Sequence, residues 1–279
     1  MREEINPSRL EIKEYHGKDF GLFFEPTSIL YDKKSNYQRI TVIETESVGK
    51  VLLIDGLVMF SEIDEYFYHE MIVHPAMVSH PNPKKILVIG GGDGGTVREL
   101  LKYPVEEIYL VEIDPEVIDV SKKFFPKISE ALSSKKVKII NTDGADFLRK
   151  TKEFFDIIIS DSSDPIGPSL SLFTEEFIDT VISHLPKSGV YISQSGSPVF
   201  QREHFKKFFN IVKRKFPISK VYLAPVITYP GTIWSFTVGS METDISELKR
   251  TPPEGLKFYN SEIHHFAFCL PNFVKEIIE

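Results

Sequence analysis

The sequence predicts an α/β protein, a Rossmann-like parallel sheet carrying a small N-terminal antiparallel β domain. Three observations predict it. Beyond Lys85, apolar strand-like runs alternate with amphipathic helical segments; the first run ends in a glycine cluster, Ile86–Gly95 (ILVIGGGDGG); and the stretch before Asp64 consists of short β-type runs separated by turn residues. Continuously apolar strands joined by helices mark a parallel sheet covered on both faces, whereas short runs joined by Asp-Gly turns mark hairpins.

Taken in order, Gly21–Phe24, Arg39–Glu44, Val51–Ile54 and Leu57–Ser61 read as strands, with Val48-Gly49-Lys50 and Asp55-Gly56 as turns. The segment EYFYHEMIVHPAMVSH, from Glu65 to His80, changes to helical spacing, and Pro81-Asn82-Pro83 closes it. The expected domains are therefore 1–63, the N-terminal β domain, and 64–279, the catalytic domain with a C-terminal extension. KKILVIG, a helix over Thr96–Tyr103, EIYLVEI, a helix over Pro115–Phe125, VKIIN and a helix near Ala145–Lys152 open the alternation. FDIIISD, a helix over Thr174–His184, VYISQ, a helix over Glu203–Lys215, KVYLAP and WSFTVG complete it, and the tail from Thr251 to Glu279 reads as a surface strand and helix.

The chain has 279 residues, 42% of them hydrophobic and 26% charged, enough for one large domain or one domain plus a small one. No apolar run approaches the roughly 20 residues that span a bilayer, and the polar start MREEINPSRLEIKE lacks a signal-peptide core. A cytoplasmic protein with no membrane partner is expected. The single Cys269 offers no disulfide and no cysteine metal site, in keeping with a reducing compartment. A net charge of −7 argues against nucleic acid as a partner and favours cationic small molecules.

The chemistry is expected at the carboxyl ends of the strands, where open α/β sheets bind their ligands. Glycines 90, 92 and 95 have the spacing that lets backbone approach a nucleotide, but Asp93 among them would repel a pyrophosphate and suits a cationic ligand instead. Acids follow four consecutive strands: Asp93, then Glu112 and Asp114, then Asp143, then Asp161 and Asp164. Glu112 lies about 20 residues past the glycine loop, where an acid accepts hydrogen bonds from ribose hydroxyls. Asp143-Gly144 suits either an adenine contact or, more simply, a turn and helix cap. The loop Asp161–Pro168 (DSSDPIGP) sets two carboxylates three residues apart with no cation among them, as a polyamine or a metal would need; Tyr68 and Tyr229 can line an aliphatic chain, which favours the organic cation. A zinc site on His69 and His74 is not expected, because the two stand five apart on divergent helix faces. His69 alone fits either a polar contact in the cleft or a capped or surface histidine.

With these motifs in view, the chain resembles the polyamine aminopropyltransferases, the family that includes the spermidine synthases. The resemblance runs from YQRITVIE and LLIDGLVMFSEIDEYFYHEMIVHPAMVSHPNP through VIGGGDGGTVRELLKY, VEIDPEVID and DSSDPIGPSLSLFTEEF to TYPGTIWSF. It implies a Rossmann-like, methyltransferase-type domain with an N-terminal β domain, and transfer of an aminopropyl group from decarboxylated S-adenosylmethionine, a co-substrate rather than a cofactor, to a diamine, with putrescine as the default acceptor. It further implies that Gln38, Glu112, Asp143 and Gly144 contact the donor's nucleoside, that Asp93 faces its aminopropyl ammonium, and that Pro168 lies in a loop closing over the ligands. Tyr68, His69, Asp164 and Tyr229 are then the acceptor contacts and Asp161 the base, with no metal, in a homodimer or homotetramer. Physical chemistry agrees at Asp93, which would repel the carboxylate of intact S-adenosylmethionine and pair with the ammonium of the decarboxylated form. An S-adenosylmethionine-dependent methyltransferase and a non-catalytic polyamine-binding protein are the alternatives; both keep the fold and the glycine loop.

Overall fold

The computed structural model describes residues 10–165 and 167–279, with the backbone alone at Pro168. Contacts divide the chain into two compact units with the boundary between Asp64 and Glu65.

In the first unit β1 (Ile12–Tyr15) pairs antiparallel with β2 (Gly21–Phe24). β3 (Ser28–Lys34), β4 (Arg39–Thr45), β5 (Gly49–Ile54) and β6 (Leu57–Ser61) form a four-stranded antiparallel sheet in chain order. The β5–β6 turn places Asp55 and Gly56 both at positive φ, 50° and 85°, which is why that dipeptide closes the hairpin. Inward-facing Ile43, Val51, Leu53 and Val58 pack with Phe24 as the core of this unit. β1 and β3 fall outside the predicted runs. Both are largely solvent-facing and end in or carry charged residues, so their apolar alternation is weak.

The second unit begins with α1 (Glu65–Ser79), then β7 (Lys85–Gly90), α2 (Gly95–Leu100), β8 (Glu107–Val111), α3 (Pro115–Phe124), α4 (Pro126–Ser129), β9 (Val137–Ile140) and α5 (Gly144–Lys150). It continues with β10 (Ile157–Asp161), a 3₁₀ turn over Gly167–Phe173, α6 (Glu175–Ser183), β11 (Val190–Gln194), α7 (Arg202–Lys215), β12 (Ile218–Pro225) and β13 (Ile233–Ser240). The strands make one seven-stranded sheet in the order β12-β13-β11-β10-β7-β8-β9. Alternate strand residues feed opposite faces. Ile86, Val88, Ile157 and Ile159 pack with α1, and Leu87, Ile89, Ile158 and Tyr191 pack with residues of α5, α6 and α7.

Two features differ from the sequence expectation. β13 runs antiparallel to β11 and to β12, so the sheet is parallel except for that strand. The connection from Pro225 to Ile233 is too short for a crossover helix, and only a hairpin can close it. In the tail, residues 251–279 hold two short helices, α8 (Ser261–Ala267) and α9 (Asn272–Ile278), and no strand. They are not merely superficial, since His264 and Ala267 of α8 and Val274 and Ile277 of α9 are buried.

α1 is buried on nearly every side and carries Pro75 in its interior. A proline there has no N–H for the carbonyl four residues back, Met71. The Tyr222 hydroxyl on β12 donates to that carbonyl at 2.7 Å, so no backbone acceptor is orphaned.

Candidate active site

Parallel pairing brings the predicted acids together. β7 and β10 are in register with Gly90 opposite Asp161, so the glycine loop and the DSSDPIGP loop leave the same edge of the sheet side by side. The glycines there make room for the protein's own side chains. A Cβ at Gly92 would lie 2.8 Å from a carboxylate oxygen of Glu112, and one at Gly95 would lie 2.2 Å from the His69 ring.

Asp93 sits in the turn before α2. Its Oδ1 accepts the Gly95 N–H at 2.6 Å and stands 3.1 Å from Nε2 of His69. His69 lies on α1, only 2% exposed, and its Nδ1 is 2.7 Å from Oε2 of Glu65, one helical turn earlier. Arg98 on α2 grips Glu65 with both guanidinium nitrogens, at 2.9 and 2.8 Å. Burial alone would strip the imidazole of its proton, but the carboxylates of Asp93 and Glu65 reverse this and raise its pKa to about 10. His69 is therefore a cation at neutral pH. Burial likewise works against ionisation of Asp93 and Glu65, yet the His69 charge holds Asp93 below the usual carboxylate range, and His69 with Arg98 takes Glu65 down to about 2.

Asp161, ending β10, has different company. Tyr68 donates to Oδ1 at 2.7 Å and Thr96 donates to Oδ2 at 2.6 Å, both neutral hydroxyls. Burial, and then the charge of Asp93, push this carboxyl up from its ordinary value. Around it Tyr229 packs against Tyr68 with ring centroids 5.7 Å apart, and Trp234 meets Tyr229 edge-on at 4.6 Å. Asp164 accepts the side-chain amide of Gln201 at 2.5 Å, while Gln194 holds the carbonyls of Ser162 and Ser163 at 3.0 and 3.3 Å. The acidic loop is thus pinned from β11 and from the residue before α7.

At the end of β8, Glu112 accepts the Gly92 and Asp114 N–H groups at 3.2 and 2.9 Å. Burial outweighs those bonds and moves its pKa up to about 7. Asp143 caps α5 by accepting the Asp146 N–H at 2.8 Å, the simpler of its two expected roles. Gly144 is buried against Ile89, whose methyl would be 2.2 Å from any Cβ there.

Tyr68, His69, Asp93, Asp161 and Tyr229 are therefore brought together; Asp164 shares the loop of Asp161, and Glu112 abuts the glycine loop. Gln38 belongs to the first unit, where its N–H and carbonyl close a turn on Ser35. The side chain of Pro168 lies outside the described residues. Glu65, Thr96, Arg98, Gln194 and Gln201 were not singled out in the sequence. Only Thr96, directly after the GGDGG turn, carried a local signal.

Donor atoms of His69, Asp93 and Asp161 lie within 4.8 Å of one another, close enough for a metal. Both nitrogens of His69 face carboxylates, and each oxygen of Asp161 accepts a hydroxyl.

Residues 65–249 match the spermine/spermidine synthase domain, and residues 12–62 match the spermidine synthase tetramerisation domain. The chain belongs to the spermine/spermidine synthase family. It is 43% identical over 272 residues to a polyamine aminopropyltransferase of Caldicellulosiruptor saccharolyticus, covering 95% of this chain and 97% of that one. It is 39% identical over 269 residues to one of Bacillus cereus, covering 95% and 98%. Among solved structures, a spermidine synthase in complex with the transition-state analogue AdoDATO superposes with a TM-score of 0.94 at 39% identity, covering 100% of this chain and 98% of that one. The spermidine synthase of Thermotoga maritima gives 0.90 at 38% identity, covering 100% and 97%. The chain is thus an enzyme of the polyamine aminopropyltransferase type, with a methyltransferase-like α/β fold as the sequence predicts.

Proposed function

We propose that this enzyme transfers the aminopropyl group of decarboxylated S-adenosylmethionine to putrescine, giving spermidine and methylthioadenosine. The observation that carries the reading is the contrast between two neighbouring carboxylates. Asp93 is held ionised by the His69 cation, whereas Asp161 is held by neutral hydroxyls and has a raised proton affinity. Environments that push two acids apart in this way assign a fixed anion and a base. In this reading Asp93 takes the ammonium end of the donor's aminopropyl arm, and Glu112 accepts the ribose hydroxyls. Asp143, Gly144 and Pro168 complete the donor side in the same reading.

The acceptor lies along Tyr68 and Tyr229, with Asp164 as a further polar contact; both nitrogens of His69 face carboxylates, so its part on the acceptor side is played through Asp93. Its reacting nitrogen gives a proton to Asp161 and attacks the carbon bound to sulfur. The C–N bond forms, the C–S bond breaks, and the electron pair returns to sulfur as a neutral thioether, so no leaving-group acid is required. With a primary amine near the lysine value of about 10.4, deprotonation at neutral pH costs roughly 4–5 kcal/mol, part of which a positioned carboxylate supplies. Activity should rise toward alkaline pH.

The match of residues 12–62 to a tetramerisation domain supports a homo-oligomer, with a homotetramer preferred over a homodimer. A cytoplasmic location belongs to the same reading; among the described residues no helix is long and apolar enough to cross a membrane.

Mass spectrometry of reactions containing decarboxylated S-adenosylmethionine and putrescine, cadaverine, agmatine or spermidine tests the assignment. Putrescine should give the highest kcat/KM, and Asp161→Asn should lower turnover roughly 10²–10⁴-fold while methylthioadenosine still binds. Preference for another amine would correct the acceptor. Methyl transfer from intact S-adenosylmethionine, or no product at all, would sink the reading.

A further inference from the structure

We propose that Glu65 and Arg98 are positioning residues of the transfer reaction: they hold the His69 ring with Nε2 on Oδ1 of Asp93, which reserves Oδ2 of Asp93 for the ammonium end of the donor's aminopropyl arm. The inference rests on the reading of Asp93 given above and adds to it the side chains that set that carboxylate's direction.

The four side chains alternate in charge: Arg98, Glu65, His69, Asp93. Each link is short. Arg98 meets Glu65 at 2.9 and 2.8 Å, Glu65 meets His69 at 2.7 Å, and His69 meets Asp93 at 3.1 Å. Glu65 and His69 stand one turn apart on α1, which puts both on one helix face. Arg98 is itself fixed, because its Nε donates to Glu99 at 2.8 Å and Glu99 in turn is held by His74 at 2.9 Å and Lys102 at 2.6 Å.

An imidazole ring presents two distinct nitrogens at fixed positions, and a half-turn of the ring would put carbons in their places. Here each meets its own carboxylate, and the absent Cβ of Gly95, which would strike the ring at 2.2 Å, allows the ring to lie against the start of α2. Oδ1 of Asp93 thereby takes both the His69 and the Gly95 donors, and Oδ2 takes neither. Neither Glu65 nor Arg98 hydrogen-bonds to Asp93 or Asp161, so the contact that orients Asp93 reaches it through His69, while the Glu65 charge also acts on Asp93 directly across the cluster. The charged and titratable groups around the ring include Glu65, Asp93, Asp161 and Tyr68, with Arg98 behind Glu65. Without Glu65 one of its two stabilising carboxylates is gone, and its proton is lost at lower pH.

The test compares two ligands by calorimetric titration: decarboxylated S-adenosylmethionine and methylthioadenosine, which lacks the aminopropyl arm. Glu65→Gln should weaken the first roughly 10- to 100-fold while methylthioadenosine stays within about twofold, the range expected for loss of a charged hydrogen bond. Arg98→Lys, at the more exposed end, keeps the charge but not the two-point grip and should show a smaller loss of the same kind. It also carries the comparison should Glu65→Gln fail to fold. Equal weakening of both ligands, or of neither, overturns the proposal. Asp93→Asn separates the two layers. An unchanged ratio there defeats the reading of Asp93 itself, whereas a changed ratio there with no change in the Glu65 and Arg98 variants defeats only their positioning role.

Discussion

Glu112, at the end of β8, is 6% exposed, and desolvation outweighs two backbone N–H donors to place its pKa at about 7. In the ribose role proposed for Glu112, only the carboxylate form accepts both hydroxyls, so donor-side affinity should depend on pH. The sign follows from linkage, since the ligand binds the deprotonated form and affinity is lost as pH falls through about 7. Methylthioadenosine, neutral over this range, should bind roughly tenfold more weakly at pH 6 than at pH 8 by titration calorimetry. Glu112→Gln should abolish that dependence. A flat wild-type profile would remove Glu112 from the ribose role.

At the scale of elements, α1 is the structural key to the site. It carries Glu65, Tyr68 and His69 toward the glycine loop, and it does so with a proline in its interior. The cost of Pro75 is met from another element, because Tyr222 on β12 supplies the hydrogen bond that the missing N–H cannot. Tyr222→Phe should therefore lower stability by about 1–3 kcal/mol, the loss for an unsatisfied buried carbonyl, read from urea unfolding midpoints. An unchanged midpoint would mean that Met71 is satisfied in another way. The same variant should leave the acceptor KM largely intact, since its ring packing on Phe236 remains.

Over the whole molecule, the C-terminal tail is tied to α1 beside the site residues. Glu70, next to His69, accepts three successive backbone N–H groups from Lys257, Phe258 and Tyr259 at 2.8, 2.9 and 2.7 Å. Tyr259 then packs on His74 at 5.2 Å and reaches Nδ1 of His264 at 2.6 Å. Glu70→Ala would leave those amides without their acceptor and should cost roughly 3 kcal/mol or more in unfolding free energy. Limited proteolysis should then cleave near residue 250 faster than in the wild type. Resistance equal to wild type would show that the α8 and α9 packing alone secures the tail.

What the sequence determined by itself was whatever is encoded locally. Apolar period and turn chemistry placed most of the strands and helices, and the rule that ligands meet strand ends picked out Asp93, Glu112, Asp161 and Asp164 before any coordinates. β1 and β3 were not legible, because largely exposed strands carry little apolar pattern. The direction of β13 lay in the length of its connection, not in its residues. What only the tertiary structure decided was partnership. Thr96 and Tyr68 stand 65 and 93 residues from Asp161 in the chain and meet it only through the register of β7 with β10 and the packing of α1. The state of His69 is decided in the same way. A histidine in a helix reads equally as a surface group or a contact, and it becomes a buried cation only where folding closes Glu65 on one nitrogen and Asp93 on the other. Charge in a low-dielectric interior depends on neighbours a few ångströms away, and sequence alone does not say who those neighbours are.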